Sequence, residues 1–164
     1  SLKSTFDYIE GMIGKSLPVE FEKEYRKNTF KAFKTDLKPV NGVHDLLNRI
    51  TLPYCVASSG PLEKIKLNLK TTNLIEKFEN KIFSSYEIGS WKPDPGIFLF
   101  AAKKMGYKPN QCVVIEDSMA GIKAAKAGGF DVYALVKNRN ENVLENTGVN
   151  VFYDMNNLDS LLNI

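Results

Sequence analysis

Cysteine is scarce in this sequence: Cys55 and Cys112 are the two among 164 residues. A disulfide framework is thereby excluded. Both cysteines sit in apolar runs that read as buried strands, the usual setting of inert structural thiols. No apolar run approaches the ~20 residues that a bilayer-spanning helix needs. The opening Ser1-Leu2-Lys3-Ser4 has no basic stretch leading into an apolar one, so it does not read as a secretory signal and a cytoplasmic location is the default expectation. An excess of one charge is also missing. The net charge is only +3, and the lysines are scattered along helical faces with no stripe of interleaved aromatics, which argues against a nucleic-acid partner. What is present, 43% hydrophobic and 25% charged residues, is the composition of an ordinary globular domain. The length allows one core with a small helical annex.

From Lys3 to Leu37 the apolar residues Phe6, Ile9 and Ile13, then Phe21, Tyr25, Phe30, Phe33 and Leu37, recur at helical spacing. The break at Gly14-Lys15-Ser16-Leu17-Pro18 predicts a helical hairpin, with glycine ending the first helix and serine and proline starting the second. The segment Lys38-Pro39-Val40-Asn41-Gly42 marks a boundary. Residues 1–38 are expected to form the annex and residues 39–164 the main domain. Beyond the boundary, strands and helices alternate. Strands are expected at Tyr54–Ser58, Lys81–Ser85, Cys112–Ile115, Asp131–Val136 and Val149–Tyr153. Helices are expected over Val43–Ile50, from Pro61, from Asp94-Pro95 to Gly106, from Ser118 to Gly128, near Asn142 and over Leu158–Leu162. Such alternation predicts an α/β fold, a Rossmann-like parallel sheet with helices on both faces.

In an open α/β sheet ligands bind beyond the carboxyl ends of the strands, and three such ends hold informative residues. Ser58-Ser59-Gly60-Pro61 runs from a strand into a helix, where a hydroxyl and free N–H groups can hold a phosphate oxygen; the same turn is also an ordinary helix entry. In Ser90-Trp91-Lys92-Pro93-Asp94-Pro95, proline restricts Lys92 to an extended backbone that aims its ammonium group, although a solvated lysine beside a rigid turn has the same pattern. Glu116-Asp117-Ser118 places two carboxylates and a hydroxyl after a strongly apolar strand. One of Asp117 and Ser118 is expected to cap the next helix, and the remaining oxygens suit a hard cation such as Mg²⁺.

The order Ser, Lys, Glu-Asp at successive strand ends resembles the haloacid dehalogenase superfamily. Ser58 is similar to its motif II, Lys92 in "WKPDP" to motif III, and Glu116-Asp117 in "IEDSMAGIKAAKAGG", with its small-residue helix, to motif IV. The N-terminal hairpin is similar to the later part of the helical cap in the β-phosphoglucomutase-like branch. Within that branch the likeness, carried by "SSGPLEKI", "YEIGSWKPDP" and "EDSMAGI", is to bacterial sugar-phosphate phosphatases of the 6-phosphogluconate phosphatase type. The resemblance implies a Mg²⁺-dependent phosphatase acting on a small phosphomonoester through an aspartyl-phosphate. Ser58, Ser59 and Lys92 would bind the phosphoryl group, Lys92 and Asp117 would serve catalysis, and Asp117 and Glu116 would hold the metal. Lys3 is the cap position nominated near the crevice. His44, on the helix just after the boundary, is expected to have a surface or helix-packing role and not a catalytic one.

The family's motif I, an apolar strand ending in Asp-x-Asp-Gly-Thr, has no counterpart in these residues. The resemblance places that strand at the centre of the sheet, so two facing apolar edges are expected, either closed by an unusual pairing or used for self-association. Three other readings compete. One is a phosphomutase built on the same core. Another is a catalytically inactive remnant or binding domain. The third is a receiver-like signalling domain, which is disfavoured because its acidic pair precedes its lysine in sequence.

Overall fold

The computed structural model describes residues 2–136 and 148–163. Two helices open it, α1 (Leu2–Ile13) and α2 (Phe21–Thr35). The second helix begins later than its serine and proline suggest. Leu17 N–H donates to the Glu10 carboxylate at 2.7 Å and Phe21 N–H to the Pro18 carbonyl at 2.9 Å, so the connection is spent in a loop tied back to α1. Phe6 meets Phe21 and Tyr25 edge-on at centroid distances of 5.4 and 5.6 Å, a geometry that favours aromatic pairs. Neither helix contains a buried residue.

After the boundary come α3 (Val43–Arg49), β1 (Val56–Ser58), α4 (Leu62–Thr71), β2 (Ile82–Ser84), α5 (Ser85–Ile88), α6 (Gly96–Met105), β3 (Val113–Glu116), α7 (Met119–Ala127), β4 (Asp131–Leu135), β5 (Asn150–Phe152) and α8 (Leu158–Leu161). The expected helix near Asn142 lies outside the described residues. Helix α5 is not foreseen by the pattern; it is four residues long and held by a capping box between Ser84 and Glu87. Gly106, at φ +84°, ends α6 in the left-handed conformation that residues with a Cβ resist.

All strand pairs are parallel, and they form two groups: β1 with β2, and β3 with β4 and β5. One layer unites them on the first face. Ala57 and Phe83 from the first group, and Val114, Val132 and Ala134 from the second, pack on Ile97, Phe98, Ala101, Ile122 and Ala125 of α6 and α7. On the opposite face, α3 and α4 cover the first group through Leu47, Ile65 and Leu69, while α3 and α8 cover the second through Leu46 and Leu158. Helices therefore lie on both faces, and side chains alternate between them along each strand, as the pleat requires.

Among the described residues no hydrogen bonds join β1 to β3. An apolar cleft of about 500 Å³ separates them, walled by Tyr54, Cys55 and Ala57 on one side and Val113, Val114 and Ile115 on the other. The cysteines lie here as half-buried free thiols just before β1 and β3, not within buried strands. Short strands explain the difference, since β1 begins two residues after Tyr54 and β3 one residue after Cys112. Burial still pushes the Cys55 thiol up to about 11 and raises Cys112 as well, so the expectation of low reactivity stands on desolvation.

Candidate active site

At the end of β1 the chain turns sharply into α4. The Ser58 hydroxyl accepts from Gly60 N–H at 3.2 Å, and the buried Ser84 hydroxyl donates to the Gly60 carbonyl at 2.7 Å. Ser84 is paired with Ser58 in the parallel register, so the neighbouring strand pins this turn from beside it. Pro61 precedes the first turn of α4 and leaves its free N–H groups at the mouth of the turn, a setting that favours anions.

At the end of β3 a buried carboxylate organises the loop. Glu116 is the last residue of the strand, and its Oε2 accepts from Asp117 N–H and Ser118 N–H at 3.1 Å each and from the Ser118 hydroxyl at 2.9 Å. Its Oε1 pairs with the Lys92 ammonium. Four donors, one of them cationic, make this buried charge tolerable. Ser118 is the residue that caps α7, accepting from Gly121 N–H at 3.1 Å. Asp117 is therefore not needed as a cap, and its carboxylate lies exposed at the cleft. The close approach of loop to helix depends on Gly121, because a Cβ there would overlap the Glu116 carboxyl group.

Lys92 reaches Glu116 from the turn before α6. The Ser90 hydroxyl donates to Asp94, whose Oδ1 also accepts Gly96 N–H at 2.8 Å. These bonds, Ser90 first, hold the Asp94 carboxyl below its usual value. The Lys92 ammonium stands 4.6 Å from the centroid of the Phe98 ring, and its side chain is only 15% exposed. A cation fixed between a carboxylate and a ring face is an aimed charge.

These elements enclose a cleft of about 390 Å³ that Ser58, Ser59, Lys92, Glu116 and Asp117 all line. The five residues nominated from these motifs are thus brought to one place. Lys3 is not; its ammonium pairs with Asp7 at 3.0 Å on the exposed side of α1. His44 is bonded through Nε2 to the Thr72 carbonyl at 3.0 Å, a helix-packing role. Gly60, Trp91 and Ser118, beside the nominated residues in the motifs, also line the cleft, as do Lys64 and Asn68, which no motif marks. Lys64 and Asn68 stand four apart on one face of α4, a spacing visible in the sequence once the helix entry is recognised as a site wall.

No group of three or more His, Cys, Asp or Glu side chains that could hold a metal occurs among the described residues. The oxygens of Glu116 are committed to four donors, while the Asp117 carboxylate is exposed at the cleft, the kind of oxygen donor that a hard cation retaining several waters uses. Such a donor set is compatible with Mg²⁺, for which Asp117 would be the direct ligand and Glu116 the residue behind it.

Comparison with known proteins extends the picture. The chain is 32% identical over 142 residues to the 6-phosphogluconate phosphatase of Escherichia coli, covering 87% of this chain and 64% of that protein. It is 28% identical over 125 residues to the phosphorylated carbohydrates phosphatase of Thermotoga maritima, covering 74% of this chain and 57% of that one. It therefore spans roughly three fifths of the length of these relatives. The structure superposes on a haloacid dehalogenase-like protein from Agrobacterium tumefaciens with a TM-score of 0.85 and 26% identity, over 99% of this chain and 77% of the other. A family model, the haloacid dehalogenase-like hydrolases, matches residues 5–129, the hairpin and the first three strand ends together. The chain belongs to the haloacid dehalogenase-like hydrolase family.

Proposed function

We propose that these residues form the phosphate-binding and metal-supporting part of a phosphatase that hydrolyses a small sugar phosphate. The observation that carries this reading is the convergence of Ser58, Ser59, Lys92, Glu116 and Asp117 on one cleft at the carboxyl ends of β1 and β3. The names of the relatives from E. coli and T. maritima, both phosphatases of phosphorylated sugars or sugar acids, support the substrate class.

On this reading the Ser58 hydroxyl and Ser59 N–H bind oxygens of the transferring phosphoryl group, and Lys92 balances its charge. The nucleophile would be a carboxylate of the motif I type, which has no counterpart in these 164 residues. Its oxygen attacks phosphorus in line, forming one O–P bond as the P–O bond to the leaving alcohol breaks. A second acid gives that alcohol its proton. Water then attacks the acyl phosphate, releasing inorganic phosphate and restoring the carboxylate. Bound Mg²⁺ would supply charge neutralisation at the phosphoryl oxygens, held by Asp117. Glu116 sets the Asp117 backbone through the 3.1 Å bond from its N–H, as outer-sphere partners do.

Phosphate release from a panel of sugar phosphates by the intact gene product tests the proposal. Hydrolysis that stops with chelator and returns with Mg²⁺ is expected. Absence of turnover above background across the panel would remove the phosphatase reading. The open edges of β1 and β3 also predict that the 164-residue chain self-associates, and a strictly monomeric species in sedimentation equilibrium would count against that.

A further inference from the structure

The cleft contains two lysines, and they are treated differently. Lys92 is neutralised by Glu116. Lys64, in the first turn of α4, has no carboxylate within ion-pair distance among the described residues. It is nonetheless half-buried, and its ammonium lies 4.9 Å from the centroid of the Phe33 ring on α2. Withdrawing an ammonium partly from water without a counter-charge costs free energy, which a ring face offsets only in part. The same wall holds two more unsatisfied groups, since Asn68 Oδ1 and Trp91 Nε1 are buried without a hydrogen-bond partner. Such groups call for an explanation, and completion by a ligand is one.

We infer that Lys64 is a specificity-determining residue that binds a second anionic group of the substrate, distinct from the phosphoryl group to be transferred. This rests on the phosphatase reading and sharpens it: the substrate is a phosphomonoester that also carries a carboxylate or a second phosphate. The positions agree with that division of labour. Ser58 and Ser59 lie at the end of β1 and Lys92 in the turn before α6, around the place assigned to the transferring group. Lys64 instead leans toward α2, its side chain running past Gly60, where a Cβ would stand 3.9 Å from Lys64 Cδ. The Phe33 ring keeps the ammonium extended and thereby reduces the ordering cost of binding.

The test compares two probes of similar size, 6-phosphogluconate, which has a carboxylate, and glucose 6-phosphate, which does not, on the intact gene product and its Lys64→Met and Lys64→Arg variants. Methionine keeps the stem and removes the charge. One lost charge-assisted contact predicts that Lys64→Met raises KM for 6-phosphogluconate about ten- to a hundredfold, with kcat and the glucose 6-phosphate KM within about threefold of wild type, and that Lys64→Arg restores most of the loss. Equal losses for both probes, concentrated in kcat, would move Lys64 to the transferring phosphoryl group and overturn the inference. Unchanged KM for both, with lowered thermal stability, would make it only a latch to α2 and overturn it too. Calorimetric binding of the same two ligands separates this from the parent reading. If neither is hydrolysed but 6-phosphogluconate binds more tightly and loses that margin in Lys64→Met, the phosphatase reading fails and the anion site stands.

Discussion

The helical hairpin and the α/β core are built from similar amphipathic patterns, yet they bury their apolar side chains to opposite extents. In the core, Ile97 is 0% and Ile122 1% exposed, because α6 and α7 are pressed between two strand groups and each other. In the hairpin, Met12 is 71% and Val19 97% exposed, and cohesion comes from three rings and short-range ion pairs. Helical periodicity thus specifies which face can be apolar, while the available partner decides whether that face is buried. Function divides along the same line. The residues proposed to face phosphate all stand at the carboxyl ends of core strands or in the turns beside them, and the hairpin meets that cleft through the contact of Phe33 with Lys64.

The largest expected effect falls on chemistry. Lys92→Ala should lower turnover by about 10²–10⁴-fold, the scale on which fixed electrostatic groups act. The fold should persist at reduced stability, because Glu116 keeps its three donors from Asp117 and Ser118 but loses its counter-charge. Steady-state kinetics beside circular dichroism check both halves, and near-normal turnover would remove Lys92 from the mechanism. Stability comes next. Ile97→Ala in the core should cost roughly 2–5 kcal/mol in urea unfolding, whereas Met12→Ala should stay within about 0.5 kcal/mol. Comparable losses at the two positions would break the comparison and mean that the hairpin is covered by something. Gly121→Ala should fall between, about 1–3 kcal/mol, since the new methyl must displace the Glu116 carboxyl group.

Much of this arrangement is legible in the sequence, for identifiable reasons. The site is readable because its residues are local in sequence to strand ends, so that strand, turn and helix entry each announce themselves through apolar runs, proline and glycine. Glu116 is readable as an acid but not as the centre of four hydrogen bonds, because that depends on Lys92 arriving from 24 residues away. Helix α5 escapes the pattern, since at four residues it is too short to show a period and rests on the Ser84–Glu87 capping box. Nothing in the sequence pattern marks Lys64 or Asn68. Their significance depends on which face of α4 turns to the cleft, a tertiary fact. The start of α2 is misplaced by its sequence because Ser16 and Pro18 carry start chemistry that Glu10 overrides by binding Leu17 N–H.

The smallest effect is expected where an ion pair of the same kind as Lys92–Glu116 stands in the opposite setting. Lys3 and Asp7 pair at 3.0 Å on α1, with side chains 82% and 55% exposed. Water and salt screen such a pair, and holding two long side chains costs entropy. Its orientation is also the weaker one. Lysine stands nearer the helix amino end, where the dipole disfavours a cation, and acid-before-base at this spacing is the better order. Lys3→Ala should therefore shift unfolding free energy by less than about 0.5 kcal/mol, in either direction, and leave turnover unchanged because Lys3 does not line the cleft. A tenfold loss of turnover would restore Lys3 to the site, as its place in the cap suggests. It would also show that the hairpin closes on the core during the reaction, dissolving the division between the two regions.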